Sequence, residues 1–208
     1  MGNNYTTALK ANKTPYIVQL SSIGAHLPQG VGPVSGLYRV EQSLRSLPGA
    51  NILHLRPSYF YYNLMPNIGL IKQAGIMGSN FNVAANKFPI VDTSDIAAVA
   101  AEELLQLKFK GHNVRYIVSD EVGTDTIAAT LGKAIGKPAL AWVKFADEQA
   151  KGGMVQAGLT PDLADNYIEM GHAIDSGVMF EDYWAHKQAL GKVKLDDFAK
   201  TFAAAYNA

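Results

Sequence analysis

Pro15-Tyr-Ile-Val-Gln-Leu-Ser-Ser-Ile-Gly-Ala25 is the stretch on which the reading of this chain turns. Ile17, Val18 and Leu20 form a short apolar run, which predicts a strand buried on both faces that delivers Ser21 and Ser22 at its C-terminal end. Open α/β sheets place their chemistry at that end. Before the strand, Tyr5, Ala8 and Leu9 keep helical spacing, so residues 3–12 are expected to form a helix that feeds directly into it. After it comes a loop with Gly24, Pro28, Gly30, Gly32 and Pro33. A helix then runs from about Ser35, its cap, to Leu47, with Leu37, Val40, Leu44 and Leu47 as its apolar stripe and Pro48-Gly49 as its stop. Asn51 to Arg56 reads as a second strand closed by Pro57, and two strands joined by a helix make a right-handed parallel crossover.

Residues 58–90 read as an aromatic, glycine-containing loop. Order returns at Asp92-Thr-Ser-Asp95, whose oxygens suit the capping of a helix from Ile96 to Leu107 better than acid–base work. Val114 to Val118 is a third strand, and Thr124 starts a helix with Ile127, Leu131 and Ile135 on one side, ended by Gly136 and Pro138. Leu140 to Val143 supplies a last short strand. Beyond it the chain reads as helical, with Thr160-Pro161 as a cap and first-turn proline and with Leu195, Phe198, Phe202 and Tyr206 as the buried face of the final helix. The expectation is therefore an α/β domain over residues 1–138 followed by a mostly helical region over 139–208.

The 208 residues can bury one sizeable core. Eighteen basic and eighteen acidic residues cancel, so charge favours neither nucleic acid nor an anionic membrane as partner. Without cysteine there is no disulfide or thiolate chemistry. No 18-residue apolar span and no basic-then-apolar leader is present, so a soluble, cytoplasmic protein is expected.

Gly30-Val-Gly-Pro-Val-Ser-Gly36 looks like a dinucleotide loop, but its spacing is one residue too long, Pro33 removes a donor, and it stands too far from the strand end. Gly132-Lys-Ala-Ile-Gly-Lys137 lacks phosphate-loop spacing and suits a helix end. The five histidines show no ligand pairing, so no metal site is expected, and His172 with Asp175 reads as a helix surface contact. His26 differs by position, since it follows the strand-end loop and could reach a ligand there. There is no Gly-x-Ser-x-Gly elbow for hydrolase chemistry.

Five segments in order carry a family resemblance: Leu20-Ser-Ser-Ile-Gly-Ala-His26, Tyr38-Arg-Val-Glu-Gln-Ser-Leu44, Leu55-Arg-Pro-Ser-Tyr-Phe-Tyr-Tyr-Asn63, Val91-Asp-Thr-Ser-Asp-Ile-Ala97 and Gly132-Lys-Ala-Ile-Gly-Lys-Pro138. Together the chain resembles the NmrA-like branch of the atypical short-chain dehydrogenase/reductases. The resemblance implies the C-terminal portion of a Rossmann-like parallel sheet with a small, mostly helical C-terminal region. It further implies NADP or NAD as cofactor of the complete fold, and either reduction of a small quinone- or azo-type electrophile or non-catalytic cofactor sensing. The family's first strand and glycine-rich loop are missing from these residues. A truncated or degenerate product is therefore expected, with weak or no cofactor binding by this chain alone.

By the same resemblance Ser21, Ser22, Ile23, Gly24, Pro57, Ser58, Tyr59 and Phe60 would face the nicotinamide end of a cofactor, and His26, Tyr38 and Asn63 the substrate. The usual Tyr-x-x-x-Lys pair is absent. Four on from Tyr38 stands Gln42, and the register set by the apolar stripe puts Glu41 in the lysine's place and Leu37 in the tyrosine's. Either register lacks the lysine, so the catalytic residues stay unassigned. The first strand also shows an apolar edge where a neighbour should pair, which predicts association of copies through it.

Overall fold

The computed structural model describes residues 2–208. Helix α1 (Gly2–Ala11) leads into β1 (Tyr16–Leu20), α2 (Val34–Arg45) and β2 (Asn51–Pro57). Then follow β3 (Tyr59–Phe60), a 3-10 turn (Tyr61–Leu64), α3 (Asn67–Ala74), β4 (Met77–Ser79), β5 (Phe88–Val91), α4 (Thr93–Gln106), β6 (His112–Ile117) and β7 (Asp120–Val122). The remainder is α5 (Thr124–Ala134), β8 (Trp142–Lys144), α6 (Asp147–Gln156), α7 (Pro161–Asp175), α8 (Glu181–Ala185) and α9 (Leu195–Asn207). This is an α/β chain with parallel strands and a helical C-terminus, as expected. No described helix is long and apolar enough to cross a membrane.

The main sheet has the order β1-β2-β6, with both pairings parallel. Its side chains alternate between two faces. Ile17 and Ile52 pack with Leu44 and Leu47 under α2, whereas Leu53, Leu55 and Ile117 pack with Ile96 under α4. A second sheet, β3-β5-β7, and a parallel pair, β4-β8, continue the structure beyond the C-terminal ends of the main strands. The largest core cluster joins Ile23, Tyr116 and Ile127 to Phe180, Tyr183 and Phe202, so the α/β part and the helical part share one interior.

Several expectations need correction. The first strand is not buried on both faces: it is the edge of its sheet, only Ile17 is buried, and Leu20 is 57% exposed. Asn51 N–H donates to the Pro15 carbonyl and Ser21 N–H to the Leu55 carbonyl, so the odd-numbered residues of β1 bond to β2. The backbone groups of Tyr16, Val18 and Leu20 therefore point outward. Secondly, residues 58–90 are not a loop but hold α3 and β3 to β5, elements of two to eight residues whose strand pairings are with distant segments. Thirdly, α2 begins one residue earlier than Ser35, after Pro33, and Ser35 caps nothing.

The caps separate two carboxylates that look alike in sequence. Asp92 accepts from the Ser94 N–H as the cap of α4. Asp95 is buried instead, accepting from the Ser119 hydroxyl (2.6 Å) and from the Lys192 and Val193 N–H groups (3.1 Å each). Burial opposes its charge, but these donors prevail and hold its carboxyl below the usual range. Gly191 N–H donates to the Val118 carbonyl at 2.7 Å, so residues 191–193 lie strapped across the end of β6 and aim α9 at the core. His172 and Asp175 do not bond each other: His172 meets Asp147 at 2.8 Å and Asp175 meets Lys144 at 2.7 Å.

Candidate functional site

Alternation along β1 and β2 puts Ser21, His54 and Arg56 on the face covered by α2. Glu41 lies on the inner face of α2 and is fully buried, while Gln42 is exposed. A buried carboxylate requires a partner. Arg56 supplies it with two bonds, Nη2 to Oε2 at 2.7 Å and Nε to Oε1 at 3.0 Å, and the Ser21 hydroxyl donates to Oε1 at 2.6 Å.

Arg56 reaches further. Its Nη1 donates to the Tyr116 hydroxyl at 2.9 Å and to Asp182 Oδ2 at 3.2 Å, and Nη2 donates to the Ala25 carbonyl at 3.4 Å. The Tyr116 hydroxyl in turn bonds Asp182. One guanidinium thus joins β2, α2, β6, the loop after β1 and α8. Burial alone would lower the Arg56 pKa, but the Glu41 contacts outweigh it and keep the group charged. Asp182 is pushed up by burial and, more strongly, down by the Tyr116 hydroxyl and the charges around it, so it stays ionised. Arg56 thereby ties α2, β6 and α8 together at the carboxyl ends of the strands.

Two imidazoles lie near the Glu41–Arg56 pair. Both ring nitrogens of His26 are buried without a hydrogen-bond partner, and burial lowers its pKa against the opposing charge of Asp182. His54, at the centre of β2, meets Gln19 Oε1 through Nδ1 at 2.5 Å, leaves Nε2 without a partner, and is pushed down to about 4 by burial.

The other sequence-predicted residues fall into two sets. In the first, Ile23 is buried in the core and its N–H donates to the Pro57 carbonyl, while Gly24, at φ 84°, lies against Met179. Ser58 is buried with its hydroxyl on the Pro89 carbonyl at 2.5 Å. These residues close the ends of β1 and β2 against their surroundings. The second set retains exposure: Ser22, His26, Tyr38, Tyr59 and Phe60 are half-buried and Asn63 is exposed. Tyr59 packs on Phe81 and Phe88, whereas Phe60 turns to the opposite cluster with Val91 and Ile96.

Glu41 does not fit the ribose contact that a lysine would make, because a carboxylate donates no hydrogen bond and this one is fully buried against Arg56 and Ser21. Among the described residues no group of three His, Asp or Glu side chains is placed to hold a metal ion. A concavity of about 470 Å³ between α5 and α9 and one of about 190 Å³ beside Lys13 and Pro15 include none of these residues.

Arg56 is the residue that sequence reasoning missed. Its signal was present: His54 and Arg56 stand at alternate positions of a mostly apolar strand, and Glu41 stands on an apolar helix face, so two elements each carry a buried charge that the other can match.

No protein-family model and no curated protein sequence matches the chain. Solved structures match it in fold. An NADPH-dependent quinone oxidoreductase from Escherichia coli superposes with a TM-score of 0.79 at 19% identity, covering 96% of this chain and 72% of that one. A triphenylmethane reductase from Citrobacter sp., solved with NADP(H), gives 0.75 at 16% identity over 97% and 70%. A nucleoside-diphosphate-sugar epimerase from Staphylococcus aureus gives 0.73 at 14% identity over 96% and 69%. The chain has the Rossmann-like fold of these reductases and epimerases.

Proposed function

We propose that the chain is the sheet and substrate side of an NmrA-like NAD(P)H-dependent oxidoreductase acting on small electrophiles of the quinone or azo type. The observation that carries this reading is the fold shared over 96% of the chain with an NADPH-dependent quinone oxidoreductase. It agrees with the rule that open α/β sheets bind ligands beyond the carboxyl ends of their strands.

The reduced nicotinamide supplies a hydride when bound. The chain's part is positional: Ser22, Ile23 and Gly24 after β1 and Pro57 to Phe60 after β2 border the nicotinamide end, with Ser21 and Glu41 behind them as supports. His26, Tyr38 and Asn63 stand on the substrate side, with residues 139–208 as the substrate-side region. Leu37 and Glu41 replace the tyrosine–lysine pair, so the proton that completes reduction is drawn from water rather than from that pair. For residues 1–208 alone, weak NAD(P) binding is expected, because β1 has an open outer edge where the adenosine side of such a fold would continue. Calorimetry with NADPH and NADH tests this, and micromolar affinity would overturn the expectation. Cofactor oxidation with a naphthoquinone or an azo dye, by the chain joined to a strand-helix segment that completes the sheet, tests the reductase reading. Binding without turnover would instead support a cofactor sensor.

A second reading, a module that associates through its own copies, is favoured by one observation: the open edge of β1.

A further inference from the structure

The buried tyrosines of this chain spend their hydroxyls inside the protein. Tyr61 donates to the Val193 carbonyl, Tyr116 bonds Asp182, and Tyr183 bonds Glu121. Tyr59 differs. Its ring is held by Phe81 and Phe88, with centroids 6.0 and 5.1 Å away, against the part of the core that Met179 and Phe180 complete. Yet among the described residues nothing bonds its hydroxyl. The side-chain polar atoms sealed from solvent without a partner belong to His26 and His54, so the Tyr59 hydroxyl is the open end of a half-buried ring. Successive residues of β3 point to opposite faces. Phe60 packs with Val91 and Ile96, which turns Tyr59 toward the core shared with the helical region. Burial pushes the phenol above its ordinary value of 10, and Tyr167 of α7 is the one ionisable neighbour whose charge adds to that. The group is therefore a protonated donor set among neutral surroundings.

We propose that the Tyr59 hydroxyl donates the hydrogen bond that holds the substrate's acceptor oxygen, and that the substrate is a neutral aromatic carbonyl compound of the quinone class rather than a sulfonated, anionic dye. Two aromatic neighbours fix the plane of the ring, so the donor is aimed before the substrate arrives. A sulfonate placed beside it would lose water without gaining a counter-charge, which is costly. As a quinone takes up a hydride it becomes the hydroquinone anion, and the charge develops on an oxygen to which the Tyr59 O–H donates. That oxygen then takes a proton from water, hydroxide returns to the solvent, and Tyr59 keeps its own proton throughout. This inference rests on the reductase reading of the strand ends and makes no use of the outer edge of β1.

Menadione binding to the whole chain tests it, with affinity read from tryptophan fluorescence and the hydrogen bond from the infrared carbonyl stretch of the bound quinone. The wild type is expected to lower that stretch, and to go on doing so at pH 10, where an ordinary phenol is half ionised. Tyr59→Phe keeps the ring and its packing. It is expected to return the stretch to that of a quinone without a donor, to weaken binding about threefold to tenfold, and to leave the thermal melt unchanged, because the hydroxyl has no partner to lose. Tyr167→Phe should alter neither the stretch nor the affinity. Naphthoquinone sulfonate is expected to bind about tenfold or more weakly than menadione, and equal affinity overturns the neutral substrate class. Equal affinity and equal stretch in wild type and Tyr59→Phe overturn the role of Tyr59 and leave the reductase reading standing. A wild-type chain that does not bind menadione overturns the inference, and menadione-dependent NADPH oxidation by the chain with its sheet completed then shows whether the reductase reading falls with it.

Discussion

Acid sensitivity of the fold is expected to centre on His54. Its imidazole is fully buried in the middle of β2, with one nitrogen on Gln19 and the other without a partner, and burial takes its pKa from 6.5 to about 4. In the unfolded chain it returns to 6.5. The unfolded state therefore binds more protons between these two values, so stability falls as pH falls through that window and is unaffected above it. The gap of about two and a half pH units corresponds to about 3 kcal/mol in full. About 2 kcal/mol of it is lost by pH 5 and a little under about 1 kcal/mol by pH 6. Urea unfolding of the wild type and of His54→Leu at pH 5, 6 and 7.5 isolates the effect. Leucine fills a similar space, and the half-exposed Gln19 can turn to water. His26 titrates with the same sign in both proteins, so the difference between the two curves belongs to His54. The wild type should lose about 2 kcal/mol relative to the variant between pH 7.5 and 5. Parallel curves would falsify the reasoning, since they would mean that the imidazole stays solvated or gains a partner when protonated.

Removing the Arg56 guanidinium in Arg56→Met strands Glu41 in the interior and should cost about 3 to 5 kcal/mol in denaturant unfolding. Adding Glu41→Leu should recover much of that, and a single substitution costing under about 1 kcal/mol would show that Glu41 finds water. Asp95→Asn turns an amide donor toward the Lys192 and Val193 N–H groups, with an expected cost of about 1 to 3 kcal/mol and faster hydrogen exchange at those two amides; unchanged exchange there would refute the role given to Asp95. A methyl at Gly191 would fall 2.2 Å from Asp95 Oδ2, so Gly191→Ala should loosen the same strap, whereas Gly152→Ala in α6, with nothing within 4 Å, should stabilise by about 0.5 to 1 kcal/mol. Thermal melts of the pair check the contrast, and equal shifts would contradict it.

The main sheet and its long helices were legible because their signals are local. An apolar run beginning with Ile17, the stripe Leu37-Leu44, the Asp92 cap and the Leu195-Phe198-Phe202 face each follow from a few neighbouring residues. The part between β2 and α4 was not, since Tyr59-Phe60 and Phe88-Pro-Ile-Val91 are strands only through their partners, which lie about thirty residues apart in sequence, as Tyr59 opposite Ile90 shows. The same holds within the site. Ser21 and Glu41 could be placed at strand end and helix face from periodicity alone. That Arg56 would lock them to Asp182, 126 residues later, depends on packing that periodicity does not encode. The expectation of burial on both faces of β1 failed for a related reason, because an apolar strand looks alike in sequence at the centre and at the rim.

The strap at 191–193 has a consequence for how the tail is attached. Residues 186–190 before it are all exposed, whereas the segment after it is fastened by Asp95 and Val118 and buries Leu195, Phe198 and Phe202. The peptide linkage across 186–190 is then a tether rather than a support. A chain cleaved there should keep both pieces together under native conditions and separate them only on denaturation, and the α9 fragment, added back as a peptide, should find its place unaided.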